Sequence, residues 1–355
     1  MIDDPDLTAA YRFELPANLI AQEPAARRDA SRLMVVRDDG VEHKRFFELG
    51  SVLRAGDLLI LNQTRVIPAR LHGRRAAGGR AEVLLLRPAD RPRYDTSATR
   101  WLGLVKPGRR LPAGGEIFFD GAARAVVIGV RDDGVRELEF EFFVAFEEFL
   151  ERYGSMPLPP YIHNDGADAQ ARYQTVFATV PGSVAAPTAS LHFTPELLDE
   201  LRQKEIQIET LVLDVGLGTF RPMQAQRLDD HTMHAETYAI SERTAGAIER
   251  ARREGRRVVA AGTTVVRALE GSARANGRVV ADSASTDLFI RPGFPFAVVD
   301  AMITNFHLPE STLLVLVSAF AGRERVLDAY RQAVNAGYRF FSFGDAMFVE
   351  RGARA

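Results

Sequence analysis

Residues 65–143 contain the pattern that most restricts how this chain can fold, a series of six short runs rich in β-branched and aromatic residues. The runs cover residues 65–71, 81–86, 101–106, 116–119, 125–130 and 135–143. Gly-Gly or Asp-Gly pairs stand between them at 78–79, 114–115, 120–121 and 133–134, and glycine supplies the positive φ that tight hairpin turns need. Six strands at this spacing predict a small closed or nearly closed β-barrel, followed by a helix over 144–153.

The rest of the chain has a different pattern, in which apolar strands alternate with helices. Helices are predicted at 196–204, 241–254, 264–275 and 324–336, and strands at 33–36, 210–215, 257–261, 297–303 and 339–343, with a further apolar run at 57–61. Such alternation is typical of an α/β layer. We therefore expect an α/β (α+β) main domain made of residues 1–64 and 151–355, with a small β-barrel domain, residues 65–150, inserted into it.

Composition excludes several classes of protein. The chain has no cysteine, which rules out disulfide scaffolds, zinc–thiolate sites, iron–sulfur clusters and thiol nucleophiles. The N-terminal segment has neither a basic start nor an apolar centre, so no signal peptide is expected. The longest apolar stretch near the C-terminal end, 313–321, is far shorter than the ~20 residues that span a bilayer. We expect a cytoplasmic enzyme or binding protein without a membrane partner.

Charge is unevenly distributed although the net charge is only −2. Residues 65–110 hold twelve basic residues against three acidic ones. Such an excess predicts a basic face that contacts nucleic-acid phosphates. The alternative is an ordinary solvated surface in an arginine-rich protein.

Familiar cofactor and catalytic motifs are absent. The chain has no GxxxxGK[ST], GxGxxG or GxSxG. Gly216 and Gly218 follow a predicted strand, but Pro222 disfavours a helix directly after them. Residues 231–236 contain two histidines and a glutamate without the HExxH spacing, so a hydrogen-bonded loop is favoured there over a metal site, and no metal is predicted.

Five polar, glycine-punctuated loops lie at the edges of apolar elements. They cover residues 181–193, 214–222, 261–267, 303–309 and 341–347. In open α/β sheets such loops converge beyond the carboxyl ends of the strands, where ligands bind. Thr263 and Thr264 are placed to cap the helix that begins there. The five loops together predict one pocket for a large ligand with several polar groups, although any single loop has a local structural role as its alternative.

Six further segments are equally distinctive. They are FELP at 13–16, LIAQEP at 19–24, RDASRL at 28–33, GDLLILNQTRVIPAR at 56–70, MPLPPYI at 156–162 and YQTVFA at 173–178. Together with the five loops, they resemble the S-adenosylmethionine:tRNA ribosyltransferase-isomerase family of queuosine biosynthesis, from about residue 11 to 350. The resemblance implies an α/β domain with an inserted β-barrel. It also implies a reaction that transfers and isomerises the ribosyl part of S-adenosylmethionine onto 7-aminomethyl-7-deazaguanine at the tRNA wobble position, giving epoxyqueuosine, adenine and methionine.

This resemblance implies S-adenosylmethionine as co-substrate with no other cofactor, a tRNA with a GUN-type anticodon as partner, and a monomer. The chemistry needs a base for the ribose C5′ proton beside the sulfonium and a proton donor for the departing adenine. The candidates are His192, His307, His234, Glu236 and Asp345. His192 is our first hypothesis for the base and His307 our second, and a structural hydrogen-bonding role is the alternative for each histidine.

Substrate binding is predicted for ten residues, namely Thr188, Asp214, Gly216, Gly218, Thr219, Arg221, Thr263, Thr264, Arg267 and Asn305. Arg221 and Arg267 are candidates for the methionine carboxylate and Asp345 or Asp300 for its ammonium, with an internal ion pair as the alternative for each. Contacts with tRNA are predicted for Arg65, Arg70, Arg74, Arg75, Arg109 and Arg110.

Asp214 departs from the family pattern, which commonly has histidine at this position, and an anion there changes the protons available in the site. Together with further departures at Ser190, Ala235 and residues 163–164, it keeps a second hypothesis open, a relative that uses another amine acceptor. A third hypothesis, a non-catalytic RNA-binding protein, rests on the charge of the insert alone.

Overall fold

The computed structural model describes residues 4–91, 93–163, 166–216 and 223–352. Helices within these ranges are α1 Phe146–Tyr153, α2 Ala167–Arg172, α3 Pro195–Gln203, α4 Glu242–Arg253, α5 Thr263–Asn276, α6 Thr312–Ala321 and α7 Arg323–Asn335. Strands are β1 Arg32–Arg37, β2 Gly40–Arg45, β3 Leu58–Asn62, β4 Thr64–Val66, β5 Arg70–Arg75, β6 Arg80–Pro88, β7 Arg100–Lys106, β8 Glu116–Phe119, β9 Ala123–Val130, β10 Arg136–Phe142, β11 Gly154–Ser155, β12 Val180–Ser183, β13 Gln207–Leu213, β14 Glu236–Ile240, β15 Val258–Ala261, β16 Asp282–Thr286, β17 Ala301–Asn305 and β18 Ala346–Glu350.

The main domain is built on a mixed sheet with the strand order β16-β14-β13-β3-β15-β17-β18-β1-β2 across the described residues. The central strands β13, β3, β15 and β17 run parallel to one another. Every residue of β3, β15 and β17 is buried. Strands that are buried on both faces are typical of a parallel sheet covered by other elements on each side.

Alternate residues of the central strands enter two different cores. Leu58 and Ile60 of β3 pack with apolar residues of α4, α5, α6 and α7 on one face. Leu59 and Leu61 pack with α3 and the segment around Phe46 on the other face. Side chains alternate across a strand, so the continuous apolar sequence of β3 serves both layers at once.

The inserted domain is a closed barrel of six antiparallel strands, as the sequence predicts. The strands follow the order β5-β6-β7-β10-β9-β8, and β8 pairs back with β5 to close the ring. Helix α1 packs its apolar residues into the same core as Trp101 and Phe119. The expected boundaries at residues 65 and 150 fall inside β4 and α1 and stay a prediction.

The predicted strand at 65–71 is wrong, because the structure has two strands there. β4 pairs with β12 of the main domain, whereas β5 opens the barrel. Pro68 lies between them, and proline has no amide hydrogen to continue a ladder. The chain therefore leaves the main domain and enters the barrel at this residue.

The predicted strand at 339–343 is also wrong, since the last strand is β18. Phe341 adopts φ +75, a conformation that a strand does not accommodate, and the segment turns there toward β18.

Residues 313–321, which carry no helical period, belong to α6. Eight of the ten residues of α6 are buried, and a helix buried all round shows no amphipathic period. None of the described helices combines the length and the apolar character that a membrane crossing requires.

Candidate functional site

One edge of the main sheet gathers the polar loops. The parallel strands β13, β3, β15 and β17 end at this edge. Strand β14 runs antiparallel to β13, and β18 runs antiparallel to β17, so both begin there. Ligands of open α/β sheets bind beyond the carboxyl ends of the parallel strands. The topology therefore brings the segments before β14 and β18 together with those that follow the other four strands.

A cavity at this edge, which we call the buried cavity, is lined by all five predicted loops and measures about 480 Å³ with its mouth included. Its lining consists of Ala186, Pro187, Thr188 and Ala189 from the first loop, Val215 from the second, Gly262, Thr263 and Thr264 from the third, Thr304, Asn305 and His307 from the fourth, Phe341 and Ser342 from the fifth, and Leu313 beside them. The predicted convergence of the five loops on one pocket is confirmed. Three predicted substrate-binding residues, Gly218, Thr219 and Arg221, lie outside the described residues.

Asn62, the last residue of β3, holds the second loop in place. Its Oδ1 accepts hydrogen bonds from the backbone N–H of Thr64 at 3.1 Å and of Leu213 at 3.0 Å, and its Nδ2 donates to the Leu213 carbonyl at 2.9 Å. The Ser183 hydroxyl accepts from the Val215 N–H at 2.8 Å. Val215 is thereby fixed at the cavity wall by buried side chains.

Helix α5 begins at the wall of the buried cavity. Gly262 is its N-cap with φ +105, a conformation that favours glycine, and no side chain caps the helix. The prediction that the hydroxyls of Thr263 and Thr264 cap it is therefore wrong. The first amides of a helix have no intrahelical acceptor and carry a partial positive charge. The cavity wall thus presents hydrogen-bond donors at this point.

Two polar atoms of the lining are buried without a hydrogen-bond partner among the described residues. They are Oγ1 of Thr264 and Oδ1 of Asn305, whose residues are 8% and 2% exposed. Buried polar atoms are nearly always paired in folded proteins. Unpaired atoms in the wall of a cavity indicate a ligand with complementary polar groups.

His192 is buried and held at both ring nitrogens. Nδ1 lies 2.8 Å from the hydroxyl of Ser31, which donates to the Arg28 carbonyl at 3.3 Å. Nδ1 therefore carries the ring proton, and Nε2 accepts from Nδ2 of Asn305 at 3.2 Å. Burial lowers the pKa of His192 to about 4, so the ring is neutral at pH 7. His192 borders a smaller cavity beside Arg28 rather than the buried cavity.

His307 faces the buried cavity itself. It is the one described lining residue with a titratable side chain. Nε2 lies 2.9 Å from the Thr304 hydroxyl, and the backbone N–H donates to the Tyr330 hydroxyl at 2.9 Å. Burial lowers the pKa of His307 to about 3. The imidazole in this cavity is therefore uncharged at neutral pH.

Asp345 is buried between two arginines at the start of β18. Its carboxylate accepts from the backbone N–H of Arg32 at 2.9 Å and of Arg339 at 2.8 Å, and from Nε of Arg32 at 3.2 Å. These contacts tie β1 to the loop before β18. They give Asp345 a structural function, and its predicted contact with a substrate ammonium stays a prediction.

Glu236 and Arg267 form a buried ion pair through Oε2 and Nη1. Oε1 of Glu236 also accepts from the Gly216 N–H at 3.1 Å. The other two guanidinium nitrogens of Arg267 donate to the carbonyls of Leu288 and Thr286. Through Glu236 the ion pair fixes the backbone N–H of Gly216. All three guanidinium nitrogens of Arg267 have an acceptor within the protein.

A larger cavity of about 1100 Å³, mouth included, lies between the barrel and the main domain, and we call it the interdomain cavity. The barrel contributes residues of β6, β7 and the turn after β9, and the main domain contributes Gly182, Asp214, Val215, Gly216 and the segment 234–237, in which His234 is exposed. Val215 lines both cavities. The two cavities therefore share this wall residue.

The barrel and the main domain are joined at this cavity by an ion pair between Arg93 and Asp214. Nε of Arg93 donates to Oδ2 at 2.9 Å and Nη2 to Oδ1 at 3.3 Å. Thr64 also donates to Oδ1 at 3.3 Å. Two parallel hydrogen bonds to one carboxylate fix both distance and orientation.

Arg87 and Arg131 of the barrel line the same cavity, as does Asp133. Desolvation by burial and repulsion from Arg131 lower the pKa of Arg87. Among the residues that the structure describes, no carboxylate oxygen lies within 4.0 Å of a guanidinium nitrogen of Arg87 or Arg131. Other arginines of the barrel, such as Arg70 and Arg93, do form ion pairs. Two arginines without an ion-pair partner in one cavity wall attract an anion.

The six arginines predicted to contact tRNA differ in their surroundings. Exposed side chains are found at Arg65, Arg74, Arg109 and Arg110. Arg70 forms an ion pair with Glu82 at 2.8 Å, and Arg75 is half-buried. Their contact with RNA stays a prediction. In the described part of the chain, no three His, Asp or Glu side chains come together as metal ligands.

The fold and the two cavities define an α/β protein with an inserted barrel, in which a polar pocket at the sheet edge shares a wall residue with an interdomain cleft lined by charged side chains. A family model described as "Queuosine biosynthesis protein" matches residues 8–349. The chain belongs to this family of queuosine biosynthesis proteins.

The sequences of individual relatives match this chain over nearly its full length. An S-adenosylmethionine:tRNA ribosyltransferase-isomerase from Moorella thermoacetica is 54% identical over 96% of this chain and 98% of its own. One from Gloeobacter violaceus is 52% identical over 100% and 99%. A crystal structure of S-adenosylmethionine tRNA ribosyltransferase from Thermotoga maritima is 39% identical, with a TM-score of 0.55, and the match covers 96% of this chain and 99% of that one.

Proposed function

We propose that this protein is an S-adenosylmethionine:tRNA ribosyltransferase-isomerase. Its reaction moves the ribosyl group of S-adenosylmethionine onto 7-aminomethyl-7-deazaguanine in tRNA, with loss of adenine and methionine. The observation that carries the proposal is that Val215 lines both a polar cavity with no carboxylate, lysine or arginine in its described lining and an interdomain cavity lined by charged side chains of both signs. A small co-substrate and a nucleic acid need such different surroundings. The two must also come into contact, because the ribosyl group passes from one to the other.

The buried cavity is assigned to S-adenosylmethionine. Its described lining contains no carboxylate and no basic side chain apart from the neutral His307, and it offers backbone amides, hydroxyls and an amide oxygen. The co-substrate carries matching carboxylate, ammonium, hydroxyl and purine groups. Sites for small molecules usually combine an apolar wall with a few polar groups that fix orientation.

The interdomain cavity is assigned to the nucleotide that receives the ribosyl group. Arg87 and Arg131 lie in its barrel wall with no ion-pair partner among the described residues, and RNA binding takes much of its affinity from neutralised phosphates. A base in an anticodon loop is unpaired, so it enters a cleft without the opening of a duplex. The exposed arginines of the barrel are proposed as further phosphate contacts.

His307 is assigned as the base for the C5′ proton. It is neutral, it lines the cavity given to the co-substrate, and its Nε2 is oriented by Thr304. His192 is the weaker candidate, because both of its ring nitrogens are hydrogen-bonded to protein and it lies outside the lining of the buried cavity.

The ion pair of Asp214 bears on the alternative of a different amine acceptor. Asp214 is bound by Arg93 from the barrel, so its carboxylate serves the junction of the two domains. The departure from the family histidine is thereby explained without a new proton donor or acceptor in the buried cavity. The tRNA reaction is favoured for this reason, and a GUN-type anticodon, a monomer and a cytoplasmic location remain parts of the proposal.

Incubation with S-adenosylmethionine and tRNA that carries 7-aminomethyl-7-deazaguanine tests this function. We expect release of adenine and methionine together with a gain in tRNA mass. The matched control is the same tRNA with guanine at the wobble position, which lacks the amine. Release of adenine that requires some other amine would support the divergent relative, and binding of tRNA without release would support a non-catalytic protein.

A further inference from the structure

We propose that the amino-acid end of S-adenosylmethionine binds in the buried cavity at the N-terminus of α5, between Thr264 and Asn305, and that His192 is a positioning residue for Asn305. This inference rests on the proposed function, because it names which end of that co-substrate occupies the cavity. Three independent features of the cavity carry it.

The first feature is a set of donors for a carboxylate. Helix α5 starts at the cavity with a glycine N-cap and no capping side chain. The unpaired Thr264 hydroxyl lies in the same first turn. Helix N-termini bind anions through their orphan amides and the helix dipole. A carboxylate at this position satisfies both the amides and the hydroxyl.

The second feature is an acceptor for an ammonium group. Nδ2 of Asn305 donates to His192, which borders a different cavity. Oδ1 is the other end of the same planar amide, it has no partner among the described residues, and the residue lines the buried cavity. Oδ1 is therefore directed away from His192 toward the ligand, where it can accept from an ammonium hydrogen.

The third feature is the absence of side-chain charge around these groups in the described lining. An isolated carboxylate or an isolated ammonium is costly to bury without a partner. A group that carries both charges on one carbon supplies its own compensation. An α-amino acid fits the donors and the acceptor, whereas a simple anion leaves Asn305 unsatisfied.

A directed chain of hydrogen bonds sets the orientation of Asn305. It runs from Asn305 Nδ2 to His192 Nε2, from His192 Nδ1 to the Ser31 hydroxyl, and from Ser31 to the Arg28 carbonyl. The Phe46 ring packs against the imidazole with an interplanar angle of 31° and centroids 4.9 Å apart. Because His192 accepts at Nε2, the asparagine amide must place its oxygen in the cavity.

Three probes separate the parts of the co-substrate. S-methylmethionine carries the amino acid and the sulfonium, decarboxylated S-adenosylmethionine lacks only the carboxylate, and 5′-methylthioadenosine lacks the amino acid. We expect Asn305→Leu and Thr264→Val to raise the Kd of S-methylmethionine about 10-fold or more while the Kd of 5′-methylthioadenosine changes less than about 2-fold. Thr264→Val is expected to leave the Kd of decarboxylated S-adenosylmethionine unchanged.

Thr175→Val is the matched control for Thr264→Val. Thr175 is also buried with an unpaired hydroxyl, but it does not line the buried cavity, so the Kd of every probe should stay the same. If Asn305→Leu weakens 5′-methylthioadenosine instead, the ribose occupies this end and the proposal is overturned. Unchanged affinity for all probes in both cavity variants overturns it as well.

The role of His192 is tested by a pair of substitutions. In His192→Gln the side-chain carbonyl oxygen can replace Nε2 as the acceptor for Asn305, whereas His192→Leu removes the acceptor. We expect His192→Leu to raise KM for S-adenosylmethionine about 10-fold or more, and His192→Gln to restore KM and keep most of kcat. Glutamine cannot act as a base near neutral pH, so a loss of kcat in His192→Gln of 100-fold or more at unchanged KM would identify His192 as the base and overturn this role.

These outcomes are distinct from a failure of the proposed function. Binding of the three probes needs no tRNA and no turnover. If the wild-type protein binds S-methylmethionine through Asn305 but does not modify tRNA, the subsite stands and the tRNA reaction falls.

Discussion

The two cavities that share Val215 as a wall residue are built in opposite ways. The buried cavity is formed by loops of one sheet edge, and its polar groups are neutral and fixed by buried hydrogen bonds such as those of Asn62 and His192. The interdomain cavity is formed by two separate domains, and its polar groups are charged side chains on partly exposed surfaces. A small ligand can be oriented by a preformed neutral shell, whereas a polyanion is held by cations whose effect depends on salt.

The ways in which the two cavities hold their shape also differ. The shape of the buried cavity is set by the backbone at the strand ends. A substitution of one lining side chain should therefore affect one group of the ligand and leave the shape of the cavity unchanged. The interdomain cavity is bridged by the Arg93–Asp214 ion pair, which links the barrel to the loop after β13. We therefore expect substitutions in the buried cavity to change the chemistry and the binding of the co-substrate, and substitutions in the interdomain cavity to change tRNA affinity and its salt dependence.

The largest effect is expected from His307→Ala, which removes the titratable group of the buried cavity. The kcat of adenine release should fall about 100-fold or more, because a positioned base contributes 10²–10⁴-fold, while the Kd of tRNA stays within about 2-fold. His43→Ala is the matched control, since His43 is exposed on β2 and bonded to Tyr338. An unchanged kcat in His307→Ala would show that His307 is not the base.

A smaller effect is expected from the double substitution Arg87→Ala with Arg131→Ala. The tRNA Kd should rise about 10-fold at low salt, and the slope of log Kd against log salt should fall by about 1.5, since two phosphate contacts are lost. The Kd of S-adenosylmethionine should not change. Arg278→Ala, which removes a surface arginine paired with Glu249, serves as the control. If the salt slope of the double variant equals that of the wild type, Arg87 and Arg131 do not contact phosphates of the tRNA.

The interdomain ion pair should show a coupling of about 1 kcal/mol in a double-mutant cycle of Arg93→Ala and Asp214→Asn. The measured quantity is kcat/KM for tRNA, because loss of the pair loosens the barrel against the sheet. Both side chains are partly exposed, which screens their interaction. Independent effects of the two substitutions would show that the ion pair does not govern the junction.

The smallest effect is expected on stability at mildly acidic pH. The folded pKa values of His192 and His307, about 4 and about 3, lie below the unfolded value of about 6.5. The unfolded chain therefore binds more protons between these values, and stability falls as the pH drops from about 6.5 toward 4. In His192→Gln the fall in Tm over this interval should be shallower. An equal slope in both proteins would show that His192 is not buried as a neutral ring.

Much of the fold could be predicted because local patterns and tertiary structure agree. The Gly-Gly and Asp-Gly turns of the barrel and the capped helices α3 and α4 are examples. The strand at 65–71 could not be predicted correctly, since the β propensity of its residues hides the break at Pro68. The buried helix α6 shows no period, and its place in the core is set by partners distant in sequence.

The site was predictable only in part, for a physical reason. Glycine and polar residues at strand ends indicate where loops converge, and the five loops do so. The partners of a side chain depend on elements far apart in the chain, so the contact of His192 with Ser31 and that of Asp214 with Arg93 could not be inferred. Arg131 stands outside the basic stretch 65–110, and only the closed barrel brings it beside Arg87.

The most direct test of this account is adenine release by Val215→Phe with S-adenosylmethionine and tRNA both at saturation. Val215 is buried and lines both cavities, so a larger side chain should separate the ligands. We predict that each ligand still binds alone with a Kd within about 5-fold of the wild-type value, which amounts to about 1 kcal/mol, and that adenine release is lost. Wild-type rates of adenine release with both ligands bound would contradict the claim that the two substrates meet at this residue.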